Sequence, residues 1–273
     1  MNKKECFIGS ISNYKGGTGK TITAVNLSAG LAIQKKKVLI IDIDPQSDTT
    51  RALMQDPMKI NNCIYQLLDP GEKQPIDLKD CIYSTIHENL DILPNITETS
   101  GLEIPLAINF PESNWNLRNK IYDYVKDKYD YALIDCPPTL SIFVSNALYA
   151  SDFVMIPVDA GSGNSLEGVK GVLELMQSVR DNGNPNLRFI KILINKIDRR
   201  KSAHKANIQE AQNRFGEENI FETTIPTSSV FETIETMRKT SVFSYSPTSK
   251  GAQGFRTFTK EFLSFFEPER SGE

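Results

Sequence analysis

At 273 residues the chain is long enough to bury a full core, and 31 Lys/Arg against 34 Asp/Glu leave a formal charge of −3,. That balance excludes a protein coated in positive charge, so any nucleic-acid contact needs a local basic patch. No apolar run approaches the roughly 20 residues that span a bilayer, residues 1–6 lack the apolar stretch of a secretory signal, and four scattered cysteines with two histidines offer neither a metal cage nor a Ser/His/Asp triad,.

The first β-branched run, 7–11, leads into Lys15-Gly16-Gly17-Thr18-Gly19-Lys20-Thr21 and a helical pattern over 21–34. Glycines between a strand and a helix let the backbone approach an oxyanion, while loop amides and the helix N-terminus present partial positive charge. A polyphosphate is the expected guest, with Mg²⁺. Lys20 is the candidate point charge for the β and γ phosphates, and the Thr21 hydroxyl a candidate Mg²⁺ ligand. Tyr14 stands where the common phosphate-loop pattern has its first glycine, and Lys15 follows it.

A second run, 38–43, delivers Asp42 and Asp44 at its carboxyl end, where open α/β sheets place ligands; helix capping is the alternative use of both,. Residues 55–108 are punctuated by five prolines and show only a short strand at 90–93,. A helical pattern over 115–126 precedes the strand 131–134, whose tip carries Asp135 before Pro137 and Pro138 turn the chain away, an arrangement that suits a Mg²⁺ ligand,.

Further strands are expected at 153–158, 190–194 and 220–225, with helices at 166–180 and 252–266 and a polar tail at 267–273. Runs that are apolar on both faces and alternate with helices predict an α/β fold with a doubly wound, largely parallel sheet, read as one domain over 1–266. The cysteines, Cys6, Cys63, Cys81 and Cys136, are expected to be buried free thiols.

The run Lys15–Thr21, with Asp44 and Asp135 behind it, resembles the ParA/MinD group of deviant Walker A ATPases, most like the small ParA proteins. The likeness extends to Ser249-Lys250-Gly251-Ala252-Gln253-Gly254-Phe255 and so covers nearly the whole chain. It implies ATP and Mg²⁺ bound by residues Lys15 to Thr21 with Ile22, and Lys15 crossing to the phosphates of a second copy. It also implies that Asp44 orders the attacking water beside the metal, that Asp42 supports the loop and metal shell, and that Asn195 and Pro226 meet adenine. For Asn195 and Pro226, plain turn formation is an equally good reading.

The resemblance further implies an ATP-dependent homodimer that holds DNA without sequence preference until a ParB-like activator or cargo adaptor triggers hydrolysis. Such a protein would be cytoplasmic and nucleoid-associated. Residues 188–260 carry 13 Lys/Arg against 7 Asp/Glu, which gives that surface its material. Lys196, Arg199, Arg200, Lys201 and Lys205 form one cluster, with Arg238, Lys239, Lys250, Arg256 and Lys260 further on; solvated faces are the plainer use of such charges.

A MinD-like membrane switch is the rival, resting on five phenylalanines in 255–266, although core packing suits those rings better beside Glu261, Glu267 and Glu269,. Metal-cluster carriers with the same loop need cysteines across a dimer axis, which this pattern does not supply. A small-molecule kinase or an amidotransferase-type ligase on the same scaffold is a third use of the loop. Only a short strand precedes the loop, so no N-terminal helix-turn-helix domain is expected.

Overall fold

The computed structural model describes residues 6–72, 76–237 and 240–267. Seven strands, β1 (Phe7–Ile11), β2 (Val38–Asp42), β3 (Tyr83–Ser84), β4 (Leu90–Leu93), β5 (Tyr131–Asp135), β6 (Phe153–Asp159) and β7 (Arg188–Asn195), build one sheet. Their order is β3-β4-β2-β5-β1-β6-β7, and every pairing is parallel except the antiparallel edge β3 on β4. The helices are α1 (Lys20–Ile33), α2 (Asp48–Leu53), α3 (Ile64–Leu68), α4 (Glu103–Ile108), α5 (Asn116–Lys128), α6 (Ile142–Ala150), α7 (Asn164–Asn182), α8 (Ser202–Phe215), α9 (Ser229–Met237), α10 (Val242–Tyr245) and α11 (Lys250–Phe266).

Side-chain alternation explains why the strands are apolar throughout. On β2, Val38 and Ile40 enter one apolar layer while Leu39 and Ile41 enter the other, so both faces must be covered by helices. One layer is mainly aliphatic, under α3, α5, α6 and α7. The other is rich in phenylalanine, under α1, α9, α10 and α11. Phe255, Phe258 and Phe262 are fully buried there, and Phe266 stacks on Phe7, 4.5 Å between ring centroids. The C-terminal rings are therefore core, as expected, and only Phe265 keeps substantial exposure.

One expectation needs correction. Residues 220–225 form no strand but run irregularly along the outer edge of β7, joined by single bridges at Ile220 and Pro226. There the Glu261 carboxylate on α11 accepts the amides of Glu222 and Thr223, each at 2.8 Å, so the Thr223 amide makes no ladder bond to β7. Helix α11 ends at Phe266, just before Glu267, whose carboxylate accepts from Tyr131 Oη at 3.0 Å and pairs with Lys36, while 268–273 lie outside the described residues. All four cysteines are free and buried, and burial pushes Cys6 and Cys81 up to about 12 and Cys63 to about 11. Among the described residues no helix is long and apolar enough to cross a membrane.

Candidate nucleotide-binding site

The loop between β1 and α1 sits at the carboxyl edge of the sheet, beside the ends of β2 and β5, because the P-loop strand is flanked by β5 and β6. Gly17 (φ +76°) and Gly19 (φ +86°) take left-handed backbone that side-chained residues avoid,. At Gly19 a Cβ would also lie 2.7 Å from the Asn195 amide nitrogen, so glycine is required there twice over. The amides of Gly16, Gly17, Thr18 and Gly19 find no protein acceptor among the described residues, and the first amides of α1 lack intrahelical acceptors by geometry. This ring of open donors fits an anion.

A cavity of about 400 Å³ opens over the loop, lined by Gly16, Gly17, Gly19, Lys20, Thr21 and Ile22 on one side and by Asp44, Gln46, Pro138 and Ile234 on the other. Lys20 is 7% exposed. Burial lowers the pKa of its ammonium, opposed by Asp135 and Asp44, and its Nζ donates to Lys15 O at 3.1 Å. Lys15 itself is absent from the cavity wall: its ammonium lies 5.2 Å from the centroid of the Tyr14 ring. Below it, Asn13 accepts the Lys15 amide at 3.0 Å and donates to Pro157 O and Ser165 O.

Asp135 is fully buried at the tip of β5, and burial pushes it up to about 7; the Thr49 hydroxyl lowers it, Asp44 raises it, and the nearby Thr21 hydroxyl and Lys20 lower it again. Thr49 Oγ1 donates to its Oδ2 at 2.7 Å, while Oδ1 has no hydrogen-bond partner. An orphaned carboxylate oxygen beside a threonine hydroxyl and a second carboxylate is the oxygen donor set Mg²⁺ takes, alongside water. Among the described residues no group of three or more His, Cys, Asp or Glu gathers as a metal site.

Asp44 is 9% exposed; burial raises its pKa, opposed by the Gln46 amide, which donates to Oδ1 at 2.9 Å, and by Lys20. Asp42 is a brace, accepting Thr50 N and Oγ1 on one oxygen and Asp44 N on the other. It holds α2 and the Asp44 turn rather than the phosphate loop, so its expected support of the loop is corrected to support of the acidic side. Thr49, Thr50 and Asn13 were missed in the sequence; two hydroxyls opening a helix just past Asp44 were the available signal.

On the other side of Gly19 and Ile22, a smaller cavity of about 90 Å³ is lined by these two residues with Asn195, Lys196, Ile225 and Phe231, among others. Asn195 Nδ2 donates to Thr18 O at 3.0 Å and to Thr23 Oγ1 at 3.1 Å, and its Oδ1 is buried and unpartnered. Pro226 does not line this cavity; it faces the neighbouring cleft of about 560 Å³ with Arg199, Arg200 and Lys250. Arg199, Arg200, Lys201, Lys205, Lys250, Arg256 and Lys260 are all exposed. Arg200 is paired with Asp198 at 2.9 Å, and Arg256 donates to Pro247 O at 2.6 Å. Lys196 leaves this cluster, its Nζ donating to Gly17 O at 2.8 Å. Arg238 and Lys239 lie outside the described residues.

The AAA domain family matches residues 7–189. The sporulation initiation inhibitor protein Soj of Bacillus subtilis is 35% identical over 253 residues, 92% of this chain and 96% of that protein. The chromosome-partitioning ATPase Soj of Thermus thermophilus is 33% identical over 93% of this chain and 94% of its own length. Among solved structures, cobyrinic acid a,c-diamide synthase from Mycobacterium smegmatis with bound ADP and magnesium superposes with a TM-score of 0.81 at 24% identity, covering 97% of both chains.

Proposed function

The chain belongs to the ParA/MinD-type P-loop ATPases, and from that premise we propose that it is a Mg-ATP-dependent switch working as one domain over 1–266. Two copies close face to face around ATP, hold DNA without regard to sequence, and part when a ParB-like activator or cargo adaptor completes hydrolysis. One observation carries the reading. Lys20 and Asp44 line a cavity over the open loop amides, with the buried Asp135 carboxylate within electrostatic reach of both, while Lys15, in the same loop, does not line that cavity and has its ammonium over the Tyr14 ring.

In this reading the loop amides and Lys20 grip the phosphates, and Thr21, Asp135 and Asp44 hold Mg²⁺, directly or through water. The ion supplies charge neutralisation on the phosphate oxygens. Asp44 keeps one carboxylate oxygen for the attacking water, since Gln46 N takes only Oδ1. The base is expected in the small cavity, where Asn195 Oδ1 accepts an amino hydrogen, with Pro226 behind the wall. The cleft of Arg199, Arg200 and Lys250, with the exposed Lys201, Lys205 and Arg256 and with Arg238 and Lys239 as the sequence suggests, meets DNA phosphates, placing the protein on the nucleoid within the cytoplasm.

The discriminating experiment is co-sedimentation with random-sequence duplex DNA and with anionic liposomes, each with ATP or ADP at two salt levels. DNA retention with ATP alone, falling steeply with salt, is expected. Retention on liposomes instead would overturn the DNA reading; the burial of the α11 rings supports the DNA reading.

A further inference from the structure

Lys196 has a use that its charge alone does not suggest. Its backbone takes a left-handed φ of +56°, which a long side chain adopts only when its surroundings hold it there,. Thr227 Oγ1 donates to its carbonyl at 2.7 Å, and the following amide, Ile197 N, donates to Ile225 O at 2.9 Å. The side chain then crosses to the phosphate loop, where Nζ donates to Gly17 O and stands 3.8 Å from Asp159 Oδ2.

A trans peptide points its carbonyl and the next residue's N–H in opposite directions. Holding Gly17 O toward β7 therefore aims Thr18 N–H the other way. The same logic runs twice more along the loop, where Asn195 holds Thr18 O and so orients Gly19 N–H, and Lys20 holds Lys15 O and so orients Gly16 N–H. Three alternating donors fix the loop before any ligand arrives, two of them consecutive residues at the end of β7.

We infer that Lys196 is a positioning residue of the phosphate loop, setting the Gly17–Thr18 peptide for polyphosphate and joining the loop to the 225–227 segment on the base side. This rests on the reading of the loop as an ATP site. The nucleotide restores the loop's shape in a chain lacking the ammonium, so the expected loss falls on affinity rather than on turnover.

The test compares full-length Lys196→Met and Lys196→Arg with the wild type. Lys196→Met is expected to raise KM for ATP, and Kd for ATP and ADP, by about tenfold with kcat within about twofold and an unchanged melting temperature, while Lys196→Arg recovers most of the affinity. Wild-type KM in Lys196→Met, or a loss confined to DNA retention, overturns the assignment. A wild-type chain that binds no ATP would defeat the ATPase reading instead. Amide exchange without nucleotide then still decides: faster exchange at Thr18 in Lys196→Met supports the positioning role, and unchanged exchange overturns it.

Discussion

The phosphate side of the cavity and the basic rim beside it carry charge by opposite means. Lys20, Asp44 and Asp135 are nearly sealed from water, and each is fixed by named partners. Arg199, Lys205 and Lys250 stand in solvent, and Arg200 spends its guanidinium on Asp198, two residues away. A buried charge is so costly that its neighbours reveal its purpose. An exposed pair contributes about 0–1 kcal/mol and fits many uses. The difference teaches that chemistry is specified on the phosphate side, whereas the rim supplies only a field.

The sharpest contrast is single substitution on each side. Lys20→Ala is expected to weaken ATP binding by at least about a hundredfold in calorimetry, while Lys250→Ala changes it by less than about threefold. Asp44→Ala should bind ATP and accumulate as a dimer, with turnover down about a hundredfold; normal turnover would return the water-ordering role to another carboxylate. Lys15→Ala should keep ATP within about tenfold yet show no ATP-driven doubling of mass by light scattering, as its proposed target lies on another copy.

A milder break uses pH. Burial raises Asp135 to about 7 and also raises Asp42 and Asp44, so between about pH 4 and 7 the native chain holds more protons than the unfolded one. Stability without nucleotide should therefore fall as pH rises through that window, partly offset by His87, which burial lowers,. Asp135→Asn should flatten the slope of melting temperature against pH; a slope equal to the wild type's would contradict the buried-acid account. Smallest of all, Arg199→Ala with Lys250→Ala should reduce the salt slope of DNA retention by about 1–2 without altering ATP turnover.

The phosphate loop, Asp44 and Asp135 were legible in the sequence because each is written locally, as glycines before a helix or an acid at a strand tip. Their supports were not. Thr49 reaches Asp135 across 86 residues, Asn13 reaches Pro157 across 144, and Lys196 reaches Gly17 across 179, and no local pattern encodes such pairings. The same limit explains the strand expected at 220–225, where the apolar spacing was right but a carboxylate 38 or 39 positions away took the amides. The two-residue β3 was too short to leave a period. Reading Lys196 as one of a basic cluster failed because charge counts ignore direction.

The irregular segment along β7 also governs how copies of this chain can meet. With the amides of Glu222 and Thr223 stoppered by Glu261, that border offers no template for a foreign strand, and the opposite border is only two residues long,. The sheet is fenced at both margins against zipping into fibres.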